Sequence, residues 1–316
     1  MEPRQFAMSN LAFAKPRNDA LGAFLPEIAR LVNHHASEDG VIETAMPGLS
    51  LIRATQPTAC IPTVYDPCLC VVIQGSKQAT LGDERFIYHA GHFLVVSLTL
   101  TAASHILEAS EEHPYLCLRL TIDPDEVASL MTTPSIPESL QTHSRGLFVA
   151  PMSTAFADAL LRLMRSLDTP EDIAVMGPLM RREIYYRVLS GPMGERLRSL
   201  VESGGNARRI ASAVEWIKQH FDQTLHIAEL AEHVHMSTSS LHHRFKQLTA
   251  MTPLQFQKQL RLHEARRLML GEGLAAADAG HQVGYNSPSQ FSRDFSRLFG
   301  APPRRSLATL GVSTPD

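Results

Sequence analysis

The chain has 316 residues, 44% of them hydrophobic and 19% charged, with a formal net charge of −3. That length exceeds one ordinary core and suits two domains of roughly 100 to 200 residues each, while the composition excludes extensive disorder and the overall charge gives no sign of a polyanionic partner. The opening MEPRQFAMSNLAFAKPRND lacks the basic start and apolar stretch of a secretory signal, and no run approaches the roughly 20 apolar residues of a membrane helix, so a cytoplasmic protein without a membrane partner is expected. Four cysteines, Cys60, Cys68, Cys70 and Cys117, are too few for a disulfide framework and lack the paired spacing of a zinc site.

Residues 1–20 read as a tail, and 21–150 as a first domain built on short β segments. LSLIRAT, CLCVVIQG, QATLG, RFIYHAGHFLVVSLTL, ASHILEA and PYLCLRLTI are rich in Val, Ile, Leu and Tyr and are punctuated by Gly75, Gly82, Gly91 and Pro114. This spacing predicts a compact all-β sandwich or barrel. From Met152 the periods become helical: FADALLRLMRSL, then IAVMGPLMRREIYYRVL after Thr169-Pro170, then ERLRSLVES after Gly191-Pro192. Residues 151–205 are therefore expected to form a helical connector, packed mostly on the barrel and available as the interface of a homodimer. Gly204-Gly205-Asn206 is the expected hinge, because flexible residues coincide with a change in charge sign. Residues 206–310 hold 13 Lys and Arg against 8 Asp and Glu, whereas 1–205 hold 16 against 23, the asymmetry of a polyanion-binding tail on a non-binding domain.

Beyond the hinge everything reads helical. Ile210, Ala213, Val214, Ile217 and Phe221 recur at helix spacing and leave Arg208, Arg209 and Lys218 to water or phosphate. A short helix with Ile227, Leu230, Ala231 and Val234 then meets, through His235-Met236-Ser237, a helix capped by Ser237 that buries Leu241, Phe245 and Leu248. Two short amphipathic helices at a tight turn make a helix-turn-helix. The arrangement recurs. Ala276, Ala279 and Val283 lead to Gly284-Tyr285-Asn286, and Ser287 caps a helix that buries Phe291, Phe295 and Phe299. Ser237, Leu241 and Phe245 precede Ser287, Phe291 and Phe295 by a constant 50 positions, as an internal duplication would leave them. Between the copies Pro253 opens a long helix ended by Gly271.

These residues resemble the AraC/XylS family of bacterial regulators. IAELAEHVHMSTSSLHHRFKQLTAMTPLQFQKQLRLHEARRLM is similar to the family's first unit and connecting helix. AAADAGHQVGYNSPSQFSRDFSRLFGAPPRR is similar to its signature unit, with the turn before the recognition helix, the F-x-R-x-F pattern and the closing FG-x-x-P. Upstream, YDPCLCVVIQGSKQATLGDE and GHFLVVS resemble a subfamily whose N-terminal domain is cupin-like. The resemblance implies an α+β protein: an N-terminal cupin-like β-barrel with flanking helices, and a C-terminal all-α domain, 206–310, with two helix-turn-helix units joined by a long helix. It also implies a transcription regulator, an activator that contacts RNA polymerase, in a subfamily tied to reactive-aldehyde stress responses; a repressor without ligand control is the alternative. Two residues depart from the pattern. His243 stands where many members carry Arg, and Gly280 replaces a helix-packing Ala, a change expected to loosen the second unit by up to about 1 kcal/mol.

In a helix-turn-helix the second helix enters the major groove of double-stranded DNA with its exposed N-terminal side chains toward the bases. The expected contacts are Thr238, Ser239, Ser240, His242, His243 and Lys246 in the first unit and Ser289, Gln290, Ser292, Arg293 and Arg297 in the second. Gln290 suits adenine and Arg293 suits guanine, each worth roughly 1 to 3 kcal/mol of discrimination. A rigid connecting helix would set the recognition helices about 34 Å apart, one turn of DNA.

No metal or cofactor is expected. Adjacent His242 and His243 point about 100° apart on a helix, and nearby His233 and His235 bring no cysteine or carboxylate set. In the β domain His89, His92, His105 and Glu108 lack the cupin H-x-H spacing, and His89 and His92 would face opposite sides of a strand. This argues against the rival reading, a metal-dependent cupin-like enzyme carrying a DNA-binding tail. Cys68 and Cys70 share one face of a strand. Buried apolar packing is their bland reading, and the sharper one is that one of the four thiols meets an electrophile, which needs an exposed thiol of lowered pKa. A non-covalent small-molecule effector competes with it.

Overall fold

The computed structural model describes residues 21–131, 145–191, 194, 197–198, 205–303 and 305. The expected tail, most of the ERLRSLVES helix and Gly204 of the hinge lie outside the described residues.

The apolar run CLCVVIQ becomes a strand buried on both faces, which is why it shows no alternation. It is β4 (Cys68–Gln74) in a six-stranded antiparallel sheet of order β1-β2-β9-β4-β7-β10, with β1 (Gly40–Glu43), β2 (Leu49–Ala54), β7 (His92–Val96), β9 (Tyr115–Thr121) and β10 (Leu147–Pro151). A second, four-stranded sheet has the order β3-β8-β5-β6, from β3 (Ile61–Tyr65), β5 (Ser76–Leu81), β6 (Glu84–His89) and β8 (Leu100–Glu108). Pro62 sits on an edge strand, β3, the place in a sheet that tolerates a residue without an N–H. The sheets enclose an inner core that includes Tyr65, Cys70, Val72, Tyr88, Leu94 and Cys117.

The other face of the larger sheet carries Leu51, Leu69, Val71, Val95 and Leu118, and helices cover it. These are α1 (Phe24–His35), α2 (Pro124–Met131), α3 (Thr154–Arg165) and α4 (Ile173–Leu189). Ser153 caps α3 by accepting from the Phe156 N–H. Ile28, Leu31 and Val32 of α1, Phe156 and Leu160 of α3, and Ile184 and Val188 of α4 share one core with the sheet. The connector helices thus pack on the β domain. Val175, Met176 and Leu179 of α4 point outward at 71, 40 and 58% exposure.

The C-terminal half is all helical among the described residues: α5 (Asn206–Gln219), α6 (Ile227–His233), α7 (Thr238–Thr249), α8 (Pro253–Gly271), α9 (Ala276–Gln282) and α10 (Pro288–Phe299). Most of the apolar positions read from the sequence are buried, with Ile210, Ala213, Val214 and Ile217 of α5 all at 1% exposure or less, whereas Phe221 lies beyond the end of α5 and it, Leu248 and Phe299 are only half-buried. Leu230, Leu241, Phe245 and Phe256 join the core shared with the sheet and its helices, whereas Leu262, Ala265, Val283, Phe291 and Phe295 form a separate core. Thr252 and Gln255 make a reciprocal capping box at the start of α8, with Pro253 in the first turn.

Candidate nucleic-acid interface

Each helix-turn-helix unit ends in a twelve-residue helix held at its start by a serine. Ser237 accepts from the Ser240 N–H in α7, and Ser287 accepts from the Gln290 N–H in α10. Both helices finish on a left-handed residue, Ala250 at φ 64° and Gly300 at φ 78°. Cap, helix and stop all repeat at the 50-residue offset. With Leu241 and Phe245 buried in one unit and Phe291 and Phe295 in the other, the opposite faces are open. Thr238, Ser239, His242, His243 and Lys246 are exposed and Ser240 is half-buried; Ser289, Gln290, Arg293 and Arg297 are exposed and Ser292 is half-buried. The Arg293 guanidinium folds back to donate to the Ser289 carbonyl at 3.3 Å.

Arg209 and Lys218, assigned to water or phosphate, have protein partners. Arg209 donates to the His235 carbonyl at 2.9 Å, bracing the turn of the first unit. Lys218 pairs with Asp66 of the β domain at 2.6 Å, where Thr99 also donates.

Arg261 on α8 went unnoticed in the sequence, where it is one arginine among several. It donates to the carbonyls of Phe221 at 2.6 Å and Gln223 at 2.7 Å in the first unit, and to that of Gly284 at 2.9 Å in the turn of the second. Gln257, one turn earlier, also donates to the Gln223 carbonyl at 2.8 Å. One guanidinium therefore ties both units to the connecting helix. Further along that helix, Phe299 lies against the His263 ring and the Arg266 guanidinium. Burial, with Arg266 adding, pushes the His263 imidazole down to about 4.

The β domain grips the first unit at the carboxyl end of α7. Arg145 donates to the Lys246 and Gln247 carbonyls at 3.1 and 3.0 Å while pairing with Glu84 at 2.7 Å. The next N–H, of Gly146, donates to the Leu248 carbonyl at 3.0 Å. These bonds satisfy carbonyls that a helix end leaves without partners and bring a cation to the negative end of its dipole. Beside this clasp, a cleft of about 530 Å³ opens between the smaller sheet and helices α8 and α10. Thr80, Thr101 and Met251 line it with Leu262, Lys258 and Arg297. Arg297, read from sequence as a DNA contact, thus borders this cleft. Lys258 pairs there with the buried Asp294 at 2.8 Å.

Cys68, Cys70 and Cys117 point into the inner core, with Cys68 and Cys70 on one face of β4 and their sulfurs 3.9 Å apart. Hydrogen-bonding interaction with the Cys117 and Cys68 thiols holds Cys70 well below the ordinary thiol range against the opposing effect of burial, and Cys117 and Cys68 are pushed up. Cys70 is nonetheless 3% exposed, and the exposed thiol is Cys60. The two properties needed for reaction with an electrophile fall on different residues.

His89 and His92 do not face opposite sides of one strand. They end β6 and begin β7, and their rings meet edge to face at 4.3 Å across the turn at Gly91. They do not gather with His105 and Glu108: among the described residues the one group of three histidine, cysteine or carboxylate ligands with donor atoms within 4.8 Å is His34, His35 and Asp168.

The family described as AraC-type transcriptional regulator N-terminus matches residues 45–196, and the helix-turn-helix domain family matches residues 230–308. The HTH-type transcriptional regulator CdhR of Pseudomonas aeruginosa is 27% identical over 51% of this chain and 47% of its own. The HTH-type transcriptional activator RhaS of Escherichia coli is 32% identical over 34% of this chain and 40% of its own. The chain thus spans about half the length, or less, of these curated relatives. In overall fold it is similar to ToxT of Vibrio cholerae bound to an unsaturated fatty acid, with a TM-score of 0.56 at 13% identity over 85% of this chain and 96% of ToxT.

Proposed function

Since the chain belongs to the AraC/XylS family, we propose that it is a transcription regulator of the cytoplasm that reads double-stranded DNA through α7 and α10. The observation that carries this reading is the pair of serine-capped, twelve-residue helices, duplicated at one offset, whose open faces carry polar and cationic side chains. Thr238, Ser239, Ser240, His242, His243 and Lys246 meet one major groove, and Ser289, Gln290, Ser292 and Arg293 the next, with Arg297 at the inner margin. Residues 206–310 form the DNA-binding domain, 21–150 a sensor domain and 151–205 a connector. The protein acts as an activator by contacting RNA polymerase, a reading that its similarity to the transcriptional activator RhaS supports, and it catalyses no reaction.

The sensor takes a small molecule bound without a covalent bond. The cleft between the smaller sheet and α8 and α10 supports this, since an occupant would touch both halves at once, and the ligands in the ToxT structures agree with it. With Lys258 paired to Asp294, Arg297 is the cation that favours an anionic group in that ligand. Capture of an electrophile by Cys60, Cys68, Cys70 or Cys117 is the weaker alternative, and unchanged aldehyde induction in a variant lacking all four thiols removes it. The exposed Val175, Met176 and Leu179 of α4 are the seam of a homodimer; sedimentation of Leu179→Glu as monomer beside a dimeric parent tests it.

The function itself is tested by fluorescence anisotropy of the full chain on DNA flanking its own gene, with scrambled duplex as competitor. Binding that resists the competitor and is lost in Arg293→Ala supports the reading. Failure to prefer any sequence in a broad duplex library overturns it.

A further inference from the structure

We propose that His34, His35 and Asp168 form a binding site for a late first-row divalent cation, zinc above all. The His35 Nε2 and Asp168 Oδ1 atoms are 3.0 Å apart, and a nitrogen of His34 completes a set whose donor atoms all lie within 4.8 Å of one another. Two ligand atoms each about 2.1 Å from one tetrahedral ion would themselves stand about 3.4 Å apart, so the pair has to open by only about 0.4 Å. A cation can therefore take the place of the bridging proton with little movement of either side chain.

The donor set selects the ion. Two imidazoles and one carboxylate suit zinc, cobalt and nickel, whereas calcium and magnesium take oxygen ligands. Neighbouring histidines diverge along a helix, yet here the two rings stand edge to face with centroids 4.9 Å apart. They occupy the last turn of the twelve-residue helix α1, whose unpaired carbonyls favour a positive charge. Asp168 closes the 3-10 turn that follows α3. His34 and Asp168 are exposed and His35 is half-buried, so water can enter and fill the remaining coordination positions. The nearby guanidiniums are engaged elsewhere: Arg30 is paired with Glu27 at 3.0 Å, and Arg165 lies 3.8 Å from the same carboxylate. A bound ion would pin α1 to the turn between α3 and α4.

The bland account is an ordinary ion pair between His35 and Asp168, with His34 a bystander. Calorimetric titration of the chelator-stripped full chain with zinc chloride separates the two, using the parent, His34→Gln and Asp168→Asn. The site predicts one zinc held at least about tenfold tighter by the parent than by either variant, and a zinc-dependent rise in Tm confined to the parent. The altered side chains are exposed, and circular dichroism without zinc checks that both variants fold. Equal affinity and stoichiometry in the parent and His34→Gln, or no zinc taken up beyond a weak background from the other surface histidines, overturns the proposal.

Discussion

A Cβ built on Gly280 would stand 2.9 Å from Cγ of Phe291 and 3.0 Å from its Cδ1. The glycine thus brings α9 directly against the aromatic ring of the recognition helix. Its expected loosening of the second unit is outweighed by this contact: helix propensity favours alanine by up to about 1 kcal/mol, but overpacking typically costs 1 to 3 kcal/mol. Gly280→Ala should therefore lower stability in urea unfolding. Phe291→Leu should rescue part of the loss, because the first unit buries the smaller Leu241 where the second buries Phe291, and an alanine, Ala231, is buried in its preceding helix. A double-mutant cycle without coupling would refute this account.

Ala250 ends α7 in the left-handed region, where its counterpart is Gly300. The Cβ group costs about 1 to 2 kcal/mol there, so Ala250→Gly should stabilise the chain by about 1 kcal/mol in the same assay.

Removing the Arg145 guanidinium should uncap the end of the first recognition helix. Arg145→Ala should speed amide hydrogen exchange in the last turn of α7 and leave α10 unchanged. A loss of about 1 to 3 kcal/mol is expected from hydrogen bonds made by a charged, partly buried donor. Unaltered exchange at the α7 end would show that the clasp does not hold the helix.

Acid should weaken the second unit through His263. Its imidazole takes up a proton near 6.5 when unfolded but only at about 4 in the fold. Between those values the unfolded chain binds more protons, so stability rises with pH across that window and is lost as pH falls through it. The total is about 3 kcal/mol as an order of magnitude. His263→Phe should flatten the dependence of Tm on pH between 6.5 and 4, and an unchanged slope would assign the acid sensitivity to other groups.

Periodicity made the repeated elements legible. The stretch IAVMGPLMRREIYYRVL coincides with α4, and Ser237, Pro253 and Ser287 mark helix starts because capping is local chemistry. Helices α1 and α2 and strands β1, β3 and β10 went unread. The strands, GVIE, IPTVY and LFVAP, are too short to show a period. The exposed recognition faces followed from where Leu241, Phe245, Phe291 and Phe295 fell. The contacts of Arg261, Arg145 and Lys218 did not, because their partners lie in distant parts of the sequence: Arg145 and Gln247 are 102 positions apart. The same separation hid Asp168 from His35, 133 positions away.

The first helix-turn-helix unit shares its buried core with the larger sheet and its covering helices, while the second has a core of its own. The seam of cooperative unfolding therefore runs through α8, near Leu260 and Leu262, and not at the hinge that divides the chain by charge. On heating, the second unit should melt as an independent block while the first melts together with the N-terminal half. A truncation at residue 205 would strip the first unit of its neighbours and leave its apolar surface wet, so the smallest well-behaved fragment is the one that ends after the first unit and keeps everything before it.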